Sequence, residues 1–193
     1  MRHHPAVFLD RDGVINEDRD DYVKSWAEYA FYPGALEALR RLRTAGCEVY
    51  LITNQAGVGK GIMPRRTLLD ILLRLRVTVQ RHGGLIHGIA FCPHPSGAGC
   101  ECRKPKTGML RRLAFKYGLD PARSVMVGDS GKDMIAGRAA GCRTIFIHTR
   151  PPDTAREHLE RCEQPPDDQC RSLLEAVEII LSLPQFAARG DTS

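Results

Sequence analysis

Two aspartates, Asp10 and Asp12, follow directly on the apolar run Ala6-Val7-Phe8-Leu9 and are closed off by Gly13. A carboxylate held beside a cation at the end of a buried strand can attack phosphorus and become an aspartyl-phosphate. A second acid two residues on can give a proton to the departing oxygen and take one from water. The same tetrapeptide is also an ordinary surface turn, so its company decides. Thr53-Asn54-Gln55 follows the run Val49–Ile52, Arg103-Lys104-Pro105 stands before a helical stretch, and Gly128-Asp129-Ser130 follows Val125–Val127, with Asp133 one helical turn on. The Thr53 hydroxyl can donate to a phosphate oxygen, and Lys104 can neutralise charge on the same oxygens. Asp10 and Asp129 are hard oxygen donors of the kind Mg²⁺ takes, and such a cation lets an anionic nucleophile approach an anionic phosphate. Singly, Thr53 is a strand-end residue, Lys104 a surface charge, Asp129 a helix cap and Asp133 an exposed helix residue. Together they are the parts of a phosphoryl-transfer site.

A second cluster has the spacing C-x-H-x5-C-x-C: Cys92, His94, Cys100 and Cys102. Three thiolates and an imidazole suit a closed, structural, tetrahedral Zn²⁺ site; buried thiols or a Cys92–Cys102 disulfide are the alternative. The loop runs straight into Arg103 and Lys104, so a rigid loop would hold both cations toward a phosphate. Cys47, Cys142, Cys162 and Cys170 lack such clustering and read as core or surface thiols.

Parallel-sheet periodicity must position these groups. Ala6–Leu9, Val49–Ile52, Ile86–Phe91, Val125–Val127 and Thr144–Ile147 read as buried strands. Between them lie helical patterns over 34–44, from Pro64 to about His82, from a Thr107 cap to Tyr117, and from Ser130 or Gly131 to near Gly141. Alternating strands and helices make an α/β fold, a doubly wound parallel sheet with helices on both faces. All four polar groups would then meet at the carboxyl edge of the strands, where open sheets bind ligands. Beyond Arg150 the pattern weakens around Pro151-Pro152 and Pro165-Pro166, and a terminal helix spans about 172–183. One domain over 1–186 with a loose tail from 187 to 193 is expected.

Composition adds bounds. The chain has 193 residues, 42% hydrophobic and 26% charged, with a formal net charge of +5. The mild positive charge suits an anionic small substrate. With aromatics at 6% and no arginine-rich face interleaved with them, a nucleic-acid module is disfavoured. No run reaches the roughly 20 apolar residues of a membrane helix, and four apolar residues before Asp10 are too few for a signal peptide. A cytoplasmic monomer is expected, acting on a small phosphorylated molecule, with neither nucleic acid nor membrane as partner.

The order and separation of Asp10-Arg11-Asp12-Gly13, Thr53, Lys104 and Gly128-Asp129 through Asp133 resemble the four motifs of the haloacid dehalogenase superfamily, over at least residues 6–150. The resemblance implies Asp10 as nucleophile and Asp12 as acid and base. It assigns Thr53 and Lys104 to the transferring group, and Mg²⁺ to Asp10, Asp129 and the Asp12 backbone carbonyl, supported by Asp133. The loop ending in Cys102-Arg103-Lys104-Pro105 resembles the minimally capped branch whose members act on heptose bisphosphate or histidinol phosphate. Gly13–Asn16, Thr53–Gly57 with Lys60-Gly61, and Lys104–Leu110 favour the heptose substrate and removal of its C7 phosphate. With no large cap, specificity falls to short loops, and Arg11, Asp18, Asn54, Gln55, Arg103 and Ser130 are the expected substrate-binding residues. Two departures stand out: Ser130 where heptose-bisphosphate members can carry Lys, with Lys132 nearby, and the acidic run 18–21, which either contacts sugar hydroxyls or is solvated. From another class, a receiver domain also phosphorylates an aspartate on such a sheet, but it has no use for an acid at Asp12.

Overall fold

The computed structural model describes residues 3–149, 152–160, 162 and 164–187. Strands form where apolar residues run together, as they do when both faces of a sheet are covered: β1 (Val7–Leu9), β2 (Val49–Asn54), β3 (Gly88–Cys92), β4 (Val125–Gly128) and β5 (Arg143–Ile147), joined by β6 (Asp168–Cys170). The helices are α1 (Ala35–Thr44), α2 (Ala56–Gly59), α3 (Arg65–Arg81), α4 (Gly108–Tyr117), α5 (Gly131–Ala140), α6 (Pro152–Glu160) and α7 (Leu173–Ser182). The sheet order is β3-β2-β1-β4-β5-β6, and every pairing is parallel.

The two-residue period of a strand sorts its side chains between two helical layers. Val7, Leu9, Leu51, Val127, Ile145 and Ile147 pack with Leu39 and Leu42 of α1, Val177 and Ile180 of α7, and Leu75 and Val79 of α3. Phe8, Tyr50, Ile52 and Met126 turn the other way, onto Leu110 and Leu113 of α4 and Ala136 of α5. The chain builds outward from β1 through β2 to β3, then crosses to β4 on the far side of β1. Connections leave β1 and β4 in opposite directions, which opens a crevice at their carboxyl ends.

The expected elements appear, their ends shifted by up to two residues. Besides two short 3₁₀ turns (Trp26–Glu28 and Pro121–Arg123), three elements are additional. The single turn α2 follows Gln55, and α6 and β6 occupy the polar stretch after Arg150. β6 is only Asp-Gln-Cys, with no apolar run to announce it. It is held by backbone pairing to β5, by Arg143 Nε donating to Asp168 (2.7 Å), and by Asp167 accepting from the Thr144 backbone N–H (2.8 Å) and hydroxyl (2.7 Å). α6 buries Ala155 against Met134 and Phe146, with Leu159 packed against the same cluster, so two apolar side chains anchor a mostly polar helix. Thr107 does occupy the N-cap of α4, but its side chain makes no cap hydrogen bond: at φ −88°, ψ 0° its backbone lacks the extended form capping uses. Of the expected loose tail, residues 188–193 lie outside the described residues.

Gly137 lets α5 lie close on the sheet. A Cβ there would stand 2.6 Å from Met126 Cβ and 2.9 Å from its Cγ, atoms fixed near the β4 backbone. Gly137→Ala gains about 1 kcal/mol of helix propensity but overpacks by about 1–3 kcal/mol, so the urea midpoint should fall. An equal or higher midpoint would mean that α5 lifts freely from the sheet.

Candidate active site

The site grows from the carboxyl ends of three adjacent strands. The Asp10 backbone N–H donates to Val127 O (3.0 Å), tying the residue after β1 to β4. Asp129 leaves the end of β4, and Asp133 lies in the first turn of α5, its carboxylate accepting from the Ser130 backbone N–H (3.1 Å) and hydroxyl (2.6 Å). Carboxylate oxygens of Asp10, Asp129 and Asp133 all lie within 4.8 Å of one another. Into this acidic cluster comes Lys104, 2% exposed, from the loop after β3. Its ammonium donates to Ile52 O (2.8 Å) and forms ion pairs with Asp10 Oδ2 (2.8 Å) and Asp133 Oδ1 (2.6 Å). Asn54 fixes the lysine's backbone by donating to Lys104 O and accepting from Lys104 N–H, each at 3.1 Å.

Asp12 is held separately. The Arg11 guanidinium forks onto it (Nε 3.0 Å, Nη2 2.6 and 2.7 Å), and Asn16 Nδ2 (2.9 Å) and Gln55 Nε2 (2.7 Å) donate to it as well. Gln55 also donates to Thr53 Oγ1 (2.9 Å). One buried amide thus sets the positions of the acid after β1 and the hydroxyl at the end of β2.

These contacts push the acids in opposite directions. Burial drives the Asp10 carboxyl up to about 7, against the pull of Lys104 and with a further push from Asp133 and Asp12. Burial would raise Asp12 too, but the Arg11 guanidinium and the hydrogen bonds from Arg11, Asn16 and Gln55 hold it below the usual carboxylate range. Burial would depress Lys104, yet Asp10 and Asp133 keep it above its ordinary value.

Asp10, Asp12, Thr53, Lys104 and Asp129 line a single cleft of about 330 Å³. Asp18, Arg19, Asp20 and Tyr22 form one wall, and Arg103, Ser130 and Lys132 another. Arg11 and Asn54 also border it, but their polar groups are turned onto Asp12 and the Lys104 backbone. Gln55 and Asp133 lie beneath the lining and position it. Sequence reasoning passed over Asn16, whose one signal is its spacing of four from Asp12. Arg19 and Tyr22 stand in the loop 18–22, one of the short loops expected to set specificity, and Lys132 lies near Ser130 in sequence, but which of their side chains reach the cleft depends on loop paths. Tyr22 has φ +65°, a left-handed backbone that is uncommon for a bulky residue and found at functional walls.

The donor set fits magnesium: clustered carboxylate oxygens on a rigid sheet edge. Gly13 is what allows the approach. At φ +78°, a Cβ there would fall 1.9 Å from Asp129 Oδ2. The second cluster fits zinc. Cys92 Sγ lies 3.1 Å from Cys102 Sγ and 3.6 Å from Cys100 Sγ, and His94 Nδ1 lies 3.3 Å from Cys102 Sγ. These separations approach the roughly 3.5–3.8 Å edges of a tetrahedron built on Zn–S and Zn–N bonds. All seven cysteines are free thiols; Cys47, Cys142 and Cys170 are buried. Arg103 Nη1 donates to His94 O (3.2 Å), joining this loop to the cleft wall.

An aspartate after the first strand, a hydroxyl at the end of the second, a buried lysine and an aspartate after the fourth define the aspartate-based phosphohydrolases of haloacid dehalogenase type. Residues 101–176 match the HAD-hydrolase-like family. The chain is 43% identical over 143 residues, 74% of its length and 80% of the relative's, to D-glycero-beta-D-manno-heptose-1,7-bisphosphate 7-phosphatase of Pseudomonas aeruginosa. It is 38% identical over 152 residues, 75% of its length and 80% of the relative's, to D-glycero-alpha-D-manno-heptose-1,7-bisphosphate 7-phosphatase of Mycobacterium tuberculosis. The crystal structure of D,D-heptose 1,7-bisphosphate phosphatase from Bordetella bronchiseptica, complexed with magnesium and phosphate, superposes with a TM-score of 0.85 at 37% identity, covering 92% of this chain and 98% of that one. The chain belongs to the D-glycero-D-manno-heptose-1,7-bisphosphate 7-phosphatase family. Among the described residues no helix is long and apolar enough to cross a membrane.

The raised Asp10 carboxyl has a consequence for stability. The folded metal-free chain holds this proton more tightly than the unfolded chain, whose carboxyl stays near 3.8. Stability is therefore lost as pH rises from about 4 through about 7. In a chelator, Asp10→Asn should melt higher than wild type near pH 8, and the gap should close toward pH 4. A gap that is constant with pH would show that Asp10 is not held as a buried acid.

Proposed function

We propose that this chain is a Mg²⁺-dependent phosphomonoesterase that removes the C7 phosphate of D-glycero-D-manno-heptose 1,7-bisphosphate. The supporting observation is the convergence of Asp10, Thr53, Lys104 and Asp129 on one cleft, in a chain 43% identical to a relative of that name. In this reading Asp10 attacks phosphorus, and the sugar oxygen leaves with a proton from Asp12. Asp12 then takes a proton from the water that hydrolyses the aspartyl-phosphate, which restores Asp10 and frees phosphate. The Arg11 fork keeps Asp12 ionised in the substrate-free chain, the form that accepts the proton. To give one, Asp12 must swing off Arg11 toward the leaving oxygen and take up a proton from solvent as it does so. Thr53 and Lys104 stabilise charge on the transferring group. Asp10, Asp129 and the Asp12 carbonyl hold Mg²⁺, supported by Asp133, and the cation lowers the repulsion between carboxylate and phosphate.

Cys92, His94, Cys100 and Cys102 hold Zn²⁺, which fixes the loop carrying Arg103 against the cleft. Arg103, with Asp18 and Ser130, meets the rest of the substrate. The protein acts as a single-domain monomer in the cytoplasm, where its thiols stay reduced.

Phosphate release from both anomers of the heptose bisphosphate, histidinol phosphate and fructose bisphosphate tests the reading. Many turnovers on a heptose bisphosphate are expected, and none by a folded Asp10→Asn variant. Faster release from histidinol phosphate would move the substrate, and a single turnover would put the chain with receiver domains. Metal analysis should find one equivalent of zinc per chain. Cys100→Ser should lose it, melt lower and raise KM; an unchanged KM in the zinc-free variant would separate the loop from the site.

A further inference from the structure

α3 is an outer helix beside the edge strand β3. Leu68, Ile71, Leu72, Leu75 and Val79 face inward and are buried. Its outward side is not polar throughout. Leu69 (47% exposed), Leu73 (60%) and Val77 (38%) recur every four residues, and Ile62 (44%) stands just before the helix. The three helical side chains form a row spanning about 12 Å at the helical rise per residue. Around them are the exposed arginines Arg65, Arg66, Arg74, Arg76 and Arg81, and the one acid of the helix, Asp70, already pairs with Arg74 at 2.9 Å. The helix is thus an apolar row bordered by positive charge, and none of these residues lines the catalytic cleft.

The chemistry of the border selects the occupant. A second copy of this chain would bring arginines against arginines. The row is also too short to supply the roughly 800 Å² per partner of a standard protein interface. The row itself holds no Trp, Tyr or Phe, the side chains that most often anchor protein partners. A row of aliphatic side chains flanked by arginines matches the boundary between anionic headgroups and acyl chains, where the row is immersed and the guanidinia meet phosphates. We propose that this face of α3 docks the protein reversibly on a bilayer surface carrying anionic phospholipid, leaving the cleft open to water. Peripheral docking needs no spanning helix.

The test is co-sedimentation of the full chain with vesicles of phosphatidylcholine alone and of phosphatidylcholine mixed with phosphatidylglycerol. Binding to the mixed vesicles only, weakened by salt, is expected. Leu73→Asp should lower the partition by roughly tenfold, and a paired Arg66→Gln, Arg76→Gln change by a similar factor. Hydrolysis of p-nitrophenyl phosphate, unchanged in both variants, checks that they fold. Equal sedimentation with both vesicles, or with neither, overturns the proposal. So does Leu73→Asp binding like wild type, since charge alone would then explain adsorption. Capture of an acidic amphipathic peptide without capture of vesicles would assign the face to a protein partner and overturn it as well.

Discussion

The buried ammonium of Lys104 organises the site. Three carboxylates at the end of a sheet repel one another, and burying charge away from water is costly. One fully enclosed lysine touching Asp10, Asp133 and the end of β2 offsets much of that repulsion without occupying the cleft. A buried charge is tolerable only when paired and hydrogen-bonded, and here the ammonium pairs with two carboxylates and donates to a backbone carbonyl. The surrounding architecture serves this placement. β1 and β4 present the acids, β2 supplies the carbonyl, and Asn54 holds the lysine's own backbone.

The opposing environments of Asp10 and Asp12 follow from the same economy of positive charge. Burial raises the Asp10 carboxyl, and Lys104, shared among several acceptors, offsets that only in part. Arg11 is given wholly to Asp12, which stays anionic. Two acids two residues apart in sequence are therefore pushed in opposite directions before any substrate arrives. A divalent cation beside Asp10 would add the positive charge that the protein withholds.

Most of the sheet and its chemical edge were legible in the sequence, because buried parallel strands are written as unbroken apolar runs and their polar ends stand out. Asp10, Thr53 and Asp129 could be placed by that logic, whereas Lys104 lies in the loop beyond β3 and is marked only by its place before a helix and in the motif set. What escaped has a common cause. β6 and α6 are fixed by a few specific contacts, Arg143 with Asp168 and Ala155 with Met134, not by any pattern of their own. The polar groups of Asn54 and Gln55 sit a residue or two from the strand end and turn inward to bond other residues. Side-chain direction of that kind depends on loop paths that no periodicity encodes. The same holds for Arg19, Tyr22 and Lys132 on the cleft walls.

The central place of β1 divides the molecule's labour. Its neighbours on both sides are strands, so the residue after it is buttressed symmetrically and tolerates little movement. The thiol-rich loop, by contrast, hangs from β3 at the sheet's margin, and Arg103 hangs from that loop. Substitutions at the periphery can reshape which molecule is admitted while the attacking group keeps its alignment. A lineage built this way can change its diet by rewriting a rim and leave its teeth alone.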